Sequence, residues 1–354
     1  MRRASLPAIL ALLLTACSTQ APQPDAAVGA QPAPEPPAVE PEPEERAFPD
    51  DSVYPLLVAE FALRRREYEI ALENYLSQAP VLRDAGISAH TTHLAQFLQR
   101  EPEALEAVQL WVELEPDSVE ANNTLGVLLV RRGRNLEAVP HLAVVARGGA
   151  TANFPILSNG FAQLEPVNQA KLVGAVNELA LEFPRDAQVL LTQAMLLEEL
   201  EQNEQALHKL DQLFALEAEQ PQAILLEAKL LLEAGAPKPF ARLESTLDAN
   251  PDNKALRLQY ARLLTRSDMQ AARQQFEILS AKSPRDADLL LSLALINREI
   301  GDNLAAKAYL RQLLDLEQRE SDAYYYLGRI AEAEGEPQSA VYNYMQVDGG
   351  RDFY

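Results

Sequence analysis

Dense apolar runs such as Val189-Leu190-Leu191, Leu289-Leu290-Leu291 and Leu313-Leu314 recur between residues 50 and 354, set among Ala, Glu, Gln and Arg. Punctuation between the runs is periodic. Pro116, Pro184, Pro251 and Pro284 each open a Pro-Asp or Pro-Arg-Asp step, and they are separated by 68, 67 and 33 residues. Ten residues after each proline stands a small residue, Gly126, Ala194, Ala261 or Ala294, and Ala228 and Gly328 fill the same slot where the proline is missing. Seven further on come Gly133, Gly235, Gly301 and Gly335, residues that tolerate the positive φ of an abrupt helix stop. Small residues then return as Ala138, Ala206, Ala272, Ala306 and Ala340. The pattern predicts helix, turn, helix, with close crossing of the two helices at the small positions.

The separations are two, two and one multiples of about 34, and with the small positions this resembles the tetratricopeptide repeat, or TPR. The implied fold is all-α: a right-handed TPR solenoid of about nine antiparallel helix pairs. Extending the register in both directions predicts units starting near Ser52, Gly86, Val119, Asn153, Ala187, Pro221, Lys254, Ala287 and Ser321. The first keeps Ala59 and Ala71 in the small slots and Tyr75 in the large apolar one. The second and fourth are degenerate, retaining Ala104 and Trp111 in one and Gly160 in the other. Each pair has an apolar face that it cannot bury alone, so stacking makes one continuous core, and the leucine runs belong there rather than in a ligand pocket.

Composition divides the chain into three segments: 1–16, 17–50 and the repeat array over 51–354. Arg2 and Arg3, the apolar run Leu6 to Leu14 and the step Leu14-Thr15-Ala16-Cys17 read as a signal peptide and resemble the lipobox of bacterial lipoproteins. That resemblance implies cleavage before Cys17, acylation of Cys17 and, with Ser18 in place of an aspartate, an outer-membrane anchor facing the periplasm. An ordinary secretory signal ending in cysteine is the alternative. Nine prolines between Pro22 and Pro49 predict an extended tether that spans roughly 100 Å at about 3.1 Å per residue.

Formal net charge is −21, and −21 − 2 = −23 once Arg2 and Arg3 are removed. Such a body repels phosphate backbones, which excludes nucleic acid as a partner, and it has no electrostatic grip on an anionic membrane. The membrane partner is therefore reached through Cys17, the only cysteine, which leaves none for a disulfide or a nucleophile. His90 and His93 lie three apart on a predicted helix, without an evident third metal ligand nearby. Metalloprotease, nucleophile-elbow and phosphate-loop motifs are missing, so no catalytic residues, cofactor, metal or small-molecule substrate are expected. Acidic pairs such as Glu198-Glu199 and Glu332 with Glu334 read as solvated helix surface.

One subset of charges stands apart. In TPR proteins the concave wall is lined by positions just after the first small slot, and here those positions hold Lys229, Arg262, Arg266, Arg298 and Arg329. This basic stripe on an acidic chain would suit a partner's acidic segment or terminal carboxylate. Internal counter-charge for neighbouring Glu and Asp is the other reading.

Val53-Tyr54-Pro55-Leu56-Leu57-Val58-Ala59-Glu60, Ile70 to Tyr75, Leu256 to Arg262 and Leu327 to Glu332 resemble, in order, a pseudomonad-type family. Its members are outer-membrane TPR lipoproteins that act as adaptors for a periplasmic carboxyl-terminal processing protease. The resemblance implies a non-catalytic platform whose partners are that protease and its cell-wall hydrolase substrates. Members of the family run on through further repeats, whereas this sequence ends at Tyr354, so the expectation is either a shortened array or an open edge rich in Tyr325, Tyr326, Tyr342 and Tyr344. A structural role in an envelope assembly for secretion, pili or polysaccharide export is the alternative function.

Overall fold

The computed structural model describes residues 48–348, and among them every regular element is helical. The first three units are the pairs α1 (Val53–Arg64) with α2 (Tyr68–Leu82), α3 (Ala85–Phe97) with α4 (Glu101–Leu114), and α5 (Val119–Arg131) with α6 (Asn135–Arg147). After an irregular unit ending in α7 (Pro166–Glu182) the pairs resume as α8 (Ala187–Glu199) with α9 (Asn203–Phe214), and α10 (Pro221–Glu233) with α11 (Ala241–Ala249). The last are α12 (Lys254–Leu264) with α13 (Met269–Lys282), α14 (Ala287–Glu299) with α15 (Asn303–Asp315), and α16 (Glu320–Ala333) with α17 (Pro337–Tyr344). This is a TPR solenoid, and eight of its first helices begin within one residue of the positions read from the small-residue register.

The Pro-Asp and Pro-Arg-Asp steps work because the second residue after each proline is an N-cap. Ser118, Asp186, Asn253 and Asp286 each accept from a backbone N–H of the first turn of α5, α8, α12 and α14. At the other end of each first helix, Gly133, Gly235, Gly301 and Gly335 take φ between 68° and 83°. The amide after each glycine then reaches back five residues, as Arg134 N to Leu129 O at 2.9 Å and Asp302 N to Asn297 O at 2.8 Å. That bond closes the helix with a left-handed cap and turns the chain into the second helix.

Three units make the same turn without glycine: Arg66, Gln99 and Glu201 sit at φ 62°, 58° and 58°. Side chains with a Cβ are strained there by about 1–2 kcal/mol, partly offset by glycine's greater freedom when unfolded. Glu201 is exposed, and its side chain forms no ion pair or hydrogen bond among the described residues. Glu201→Gly should therefore stabilise the chain by about 0.5–1 kcal/mol, read as a higher urea midpoint at unchanged slope. A midpoint that falls would show that the turn is not strained.

Burial follows the register. Ala59, Ala194, Ala228, Ala261 and Ala294 in the first helices and Ala71, Ala138, Ala206, Ala272 and Ala306 in the second are all at most 1% exposed. The core passes from unit to unit through shared residues: Phe214 packs against both the α8–α10 and the α10–α14 clusters, and Tyr309 joins the latter to the cluster of α14–α16. Nearest-neighbour stacking of this kind is the physical content of a solenoid.

The two units read as degenerate differ. The second is a full pair in which buried Thr92 takes the small slot and returns its hydroxyl to Ser88 O at 2.8 Å. Its helix starts at Ala85, one residue before the expected Gly86. In the fourth, the first helix is replaced by two 3-10 turns, Phe154–Ser158 and Phe161–Gln163, so the regular pair expected from Asn153 onward does not form. Gly160 does not occupy a helix-crossing slot; it bridges the two turns at φ 70°. Pro155 at the start and this left-handed residue five positions on leave too little chain for a helix.

Candidate functional site

The basic stripe falls on successive first helices: Lys229 on α10, Arg262 on α12, Arg298 on α14 and Arg329 on α16, with Arg266 two residues beyond the end of α12. The five do not converge on one point. Lys229 reaches back one repeat to Glu198 on α8, and Arg266 lies 3.7 Å from Glu233 on α10. Arg298 pairs with Glu299 and stacks its guanidinium 5.0 Å from the ring centre of Tyr326, one repeat ahead. Arg329 donates to the Tyr325 hydroxyl at 3.2 Å and lies over the same ring at 6.0 Å. Arg262 alone of the five is exposed with no side-chain partner among the described residues. Three of the cations thus serve as internal counter-charges, Arg329 is held by the Tyr325 phenol, and Arg262 is exposed without a side-chain partner among the described residues.

The same logic runs through the rest of the array. Arg100 bonds Glu69 at 2.8 Å, Arg131 bonds Glu101 at 3.3 Å, Arg147 bonds Glu182 at 2.6 Å and Arg273 bonds Asp302 at 3.2 Å, each from one repeat to the next. The hydrogen bond from Arg147 holds the Glu182 carboxyl below its ordinary range, and the bond from Lys282 does the same for Asp252. Exposed pairs of this kind are individually weak. Their value lies in fixing which face of one repeat meets the next.

Three members of the acidic pairs, Glu199, Glu332 and Glu334, are exposed as expected, and Glu198 is half-buried. Glu198 is 18% exposed beneath Lys229, Glu332 accepts from the Tyr344 hydroxyl at 2.9 Å, and Glu334 accepts from Lys307 and from Asn303, the latter at 3.1 Å. Of the four, Glu199 is the one exposed without a side-chain partner among the described residues. Sequence reasoning missed these partners, although the 31-residue step from Glu198 to Lys229, close to one repeat, was the signal that could have found them.

Buried polar groups also tie helices together. Tyr75 donates to Glu60 and Tyr260 to Glu244, both at 2.6 Å. Burial, then the neighbouring carboxylate, pushes both phenols well above the usual tyrosine range. Neither is an available acid or base near neutrality.

The histidines are engaged elsewhere. His90 packs edge-on against Tyr75, with ring centres 4.8 Å apart, while His93 reaches Glu120 at 3.0 Å and meets Trp111 edge-on at 5.7 Å. His141 shares a 2.8 Å hydrogen bond with Asn122, and burial lowers its pKa. Among the described residues no group of three or more His, Cys, Asp or Glu is placed to hold a metal. No described helix is long and apolar enough to cross a membrane. Cys17, the proline-rich tether up to residue 47 and residues 349–354 lie outside the described residues.

Stacked helical hairpins define a helical-repeat solenoid as a class. More particularly, the chain matches the tetratricopeptide repeat family over residues 298–347. It is 32% identical over 215 residues to a TPR repeat-containing protein of Pseudomonas aeruginosa, an alignment that covers 61% of this chain and 36% of that protein. The chain thus spans little more than a third of the length of this relative. Among solved structures it is similar to a tetratricopeptide repeat protein from Parabacteroides merdae, at 16% identity and a TM-score of 0.45, over 76% of this chain and 95% of that one. It is also similar to PilW, a type IV pilus biogenesis factor, at 17% identity and a TM-score of 0.37, over 59% and 98%. The TPR fold is in general a scaffold for protein interactions.

Proposed function

We propose that the chain is a non-catalytic adaptor, anchored through Cys17 to the periplasmic face of the outer membrane, that brings a carboxyl-terminal processing protease together with its cell-wall hydrolase substrates. Such an adaptor performs no chemistry; simultaneous binding raises the effective concentration of substrate at the protease. Support for protein capture rests on one observation above the others: among the described residues Arg262 is exposed and unpartnered in a stripe whose other cations are satisfied within the array. A guanidinium kept open beside paired neighbours is a fork for a partner's carboxylate.

The test is affinity capture from an envelope extract followed by mass spectrometry, then a proteolysis assay with the captured protease. The chain alone should cleave nothing and should accelerate cleavage by the protease. Arg262→Glu should weaken capture by about 10–100-fold, the loss expected for a charge-assisted pair turned repulsive. Arg185→Glu, at an exposed cation outside the stripe, should leave capture within about twofold. Capture that contains no protease would refute the adaptor role, and radiolabelled palmitate that fails to enter the wild-type chain would refute the anchor.

A further inference from the structure

Helix α1 carries a feature that repeat stacking does not use. Ala59 and Ala62 are buried against the array, whereas Tyr54, Leu57 and Phe61 on the other side are 76%, 51% and 57% exposed. Steps of three and four residues align these three along one stripe of the helix. A lone exposed leucine is ordinary, but an aromatic, an aliphatic and a second aromatic in one line form a contiguous apolar patch.

The ends of the stripe are oppositely charged. Asp50 and Asp51 precede it, and Arg64 and Arg65 close it; all four are exposed, and none has an ionic partner among the described residues. The arrangement is self-complementary under a two-fold rotation. Asp50 with Arg65, Asp51 with Arg64, Tyr54 with Phe61 and Leu57 with Val58 are four pairs whose numbers each sum to 115.

We propose that α1 is a self-association surface, on which two copies of this chain pair their α1 helices antiparallel about a two-fold axis passing between Leu57 and Val58. Each acidic entrance then meets the partner's basic exit, the aromatic rings interleave, and the opposed helix dipoles attract. A two-fold contact closes on itself, so assembly stops at two chains instead of growing into a filament. The seam is short, about 18 Å for twelve residues, which sets the expected dissociation constant near micromolar. The dimer does not depend on the adaptor reading, which concerns the face around Arg262.

Sedimentation equilibrium of the full chain, with Cys17→Ser to remove its single cysteine, tests this. A mass of about two chains is expected at about 100 µM, and Leu57→Glu with Phe61→Glu should give one chain at unchanged helical signal. Arg64→Asp with Arg65→Asp should weaken the dimer at least about tenfold, and adding Asp50→Arg with Asp51→Arg should restore it. Nonspecific stickiness of the apolar stripe would not respond to that exchange. Leu57→Cys should cross-link two copies under mild oxidation, whereas Leu304→Cys, at an 83% exposed site on α15, should not. A single-chain mass at that concentration, a dimer that survives the glutamates, or a charge exchange that fails to restore association would each overturn the proposal.

Discussion

Phe154→Ala is expected to cost about 3–5 kcal/mol, because it empties the centre of the unit whose first helix is replaced by 3-10 turns. Phe154 is fully buried, with Leu157 and Phe161 beside it and the ring of Phe183 at 6.2 Å. The segment it anchors has few backbone hydrogen bonds of its own to fall back on. Instead Asn135 donates to Leu157 O and Asn159 O, both at 2.8 Å, Ser158 donates to Pro155 O at 2.8 Å, and Gln169 donates to Phe161 O at 3.0 Å. These bonds hold only while the apolar wedge keeps the segment seated between α6 and α8. Removing the ring should therefore loosen residues 150–182 as a block and uncouple the flanking repeats, since solenoid stability is a chain of nearest-neighbour interfaces. Urea unfolding gives the magnitude, and hydrogen exchange gives the location. Protection lost evenly across α1–α17, or a cost below about 1 kcal/mol, would show that the irregular unit is not a structural joint.

This unit also marks where the sequence stops being readable. The register is legible elsewhere because a helix crossing tolerates only Gly, Ala or a residue such as Thr92, and a left-handed turn favours Gly, so packing leaves letters in the sequence at a fixed period. Phe154 and its neighbours satisfy the same burial with a ring and borrowed hydrogen bonds, which leave no periodic letter. A similar exception occurs in the sixth unit, where Phe240, 8% exposed, stands where other second helices have alanine, and α11 is shortened to nine residues after Pro237 and Pro239. For the site, the positions of the stripe can be read from the period, since they are offsets from a small residue. Pairing cannot, because whether Lys229 is free or engaged depends on a carboxylate one repeat away, and Arg262 lacks one among the described residues.

Gly126 puts the packing argument to its sharpest test. Glycine inside a helix costs about 1 kcal/mol relative to alanine, so its presence in the middle of α5 requires a compensating gain. A Cβ added there would lie 3.0 Å from Leu142 Cδ2 and 3.2 Å from Leu142 Cγ on α6, and Leu142 is itself fully buried. Gly126→Leu should consequently cost about 3 kcal/mol by forcing the two helices apart. Leu142→Ala alone should cost about 2–5 kcal/mol by opening a cavity on the same line of contact. Combined, the incoming leucine can occupy the space the other vacates, and the double variant should be less destabilised than the sum of the singles by at least about 1 kcal/mol. Helix propensity alone predicts the opposite sign for a residue larger than glycine at this position, and simple additivity predicts no coupling. If the two effects add, the closeness of α5 and α6 is not what selects glycine, and the small-residue register loses its physical cause.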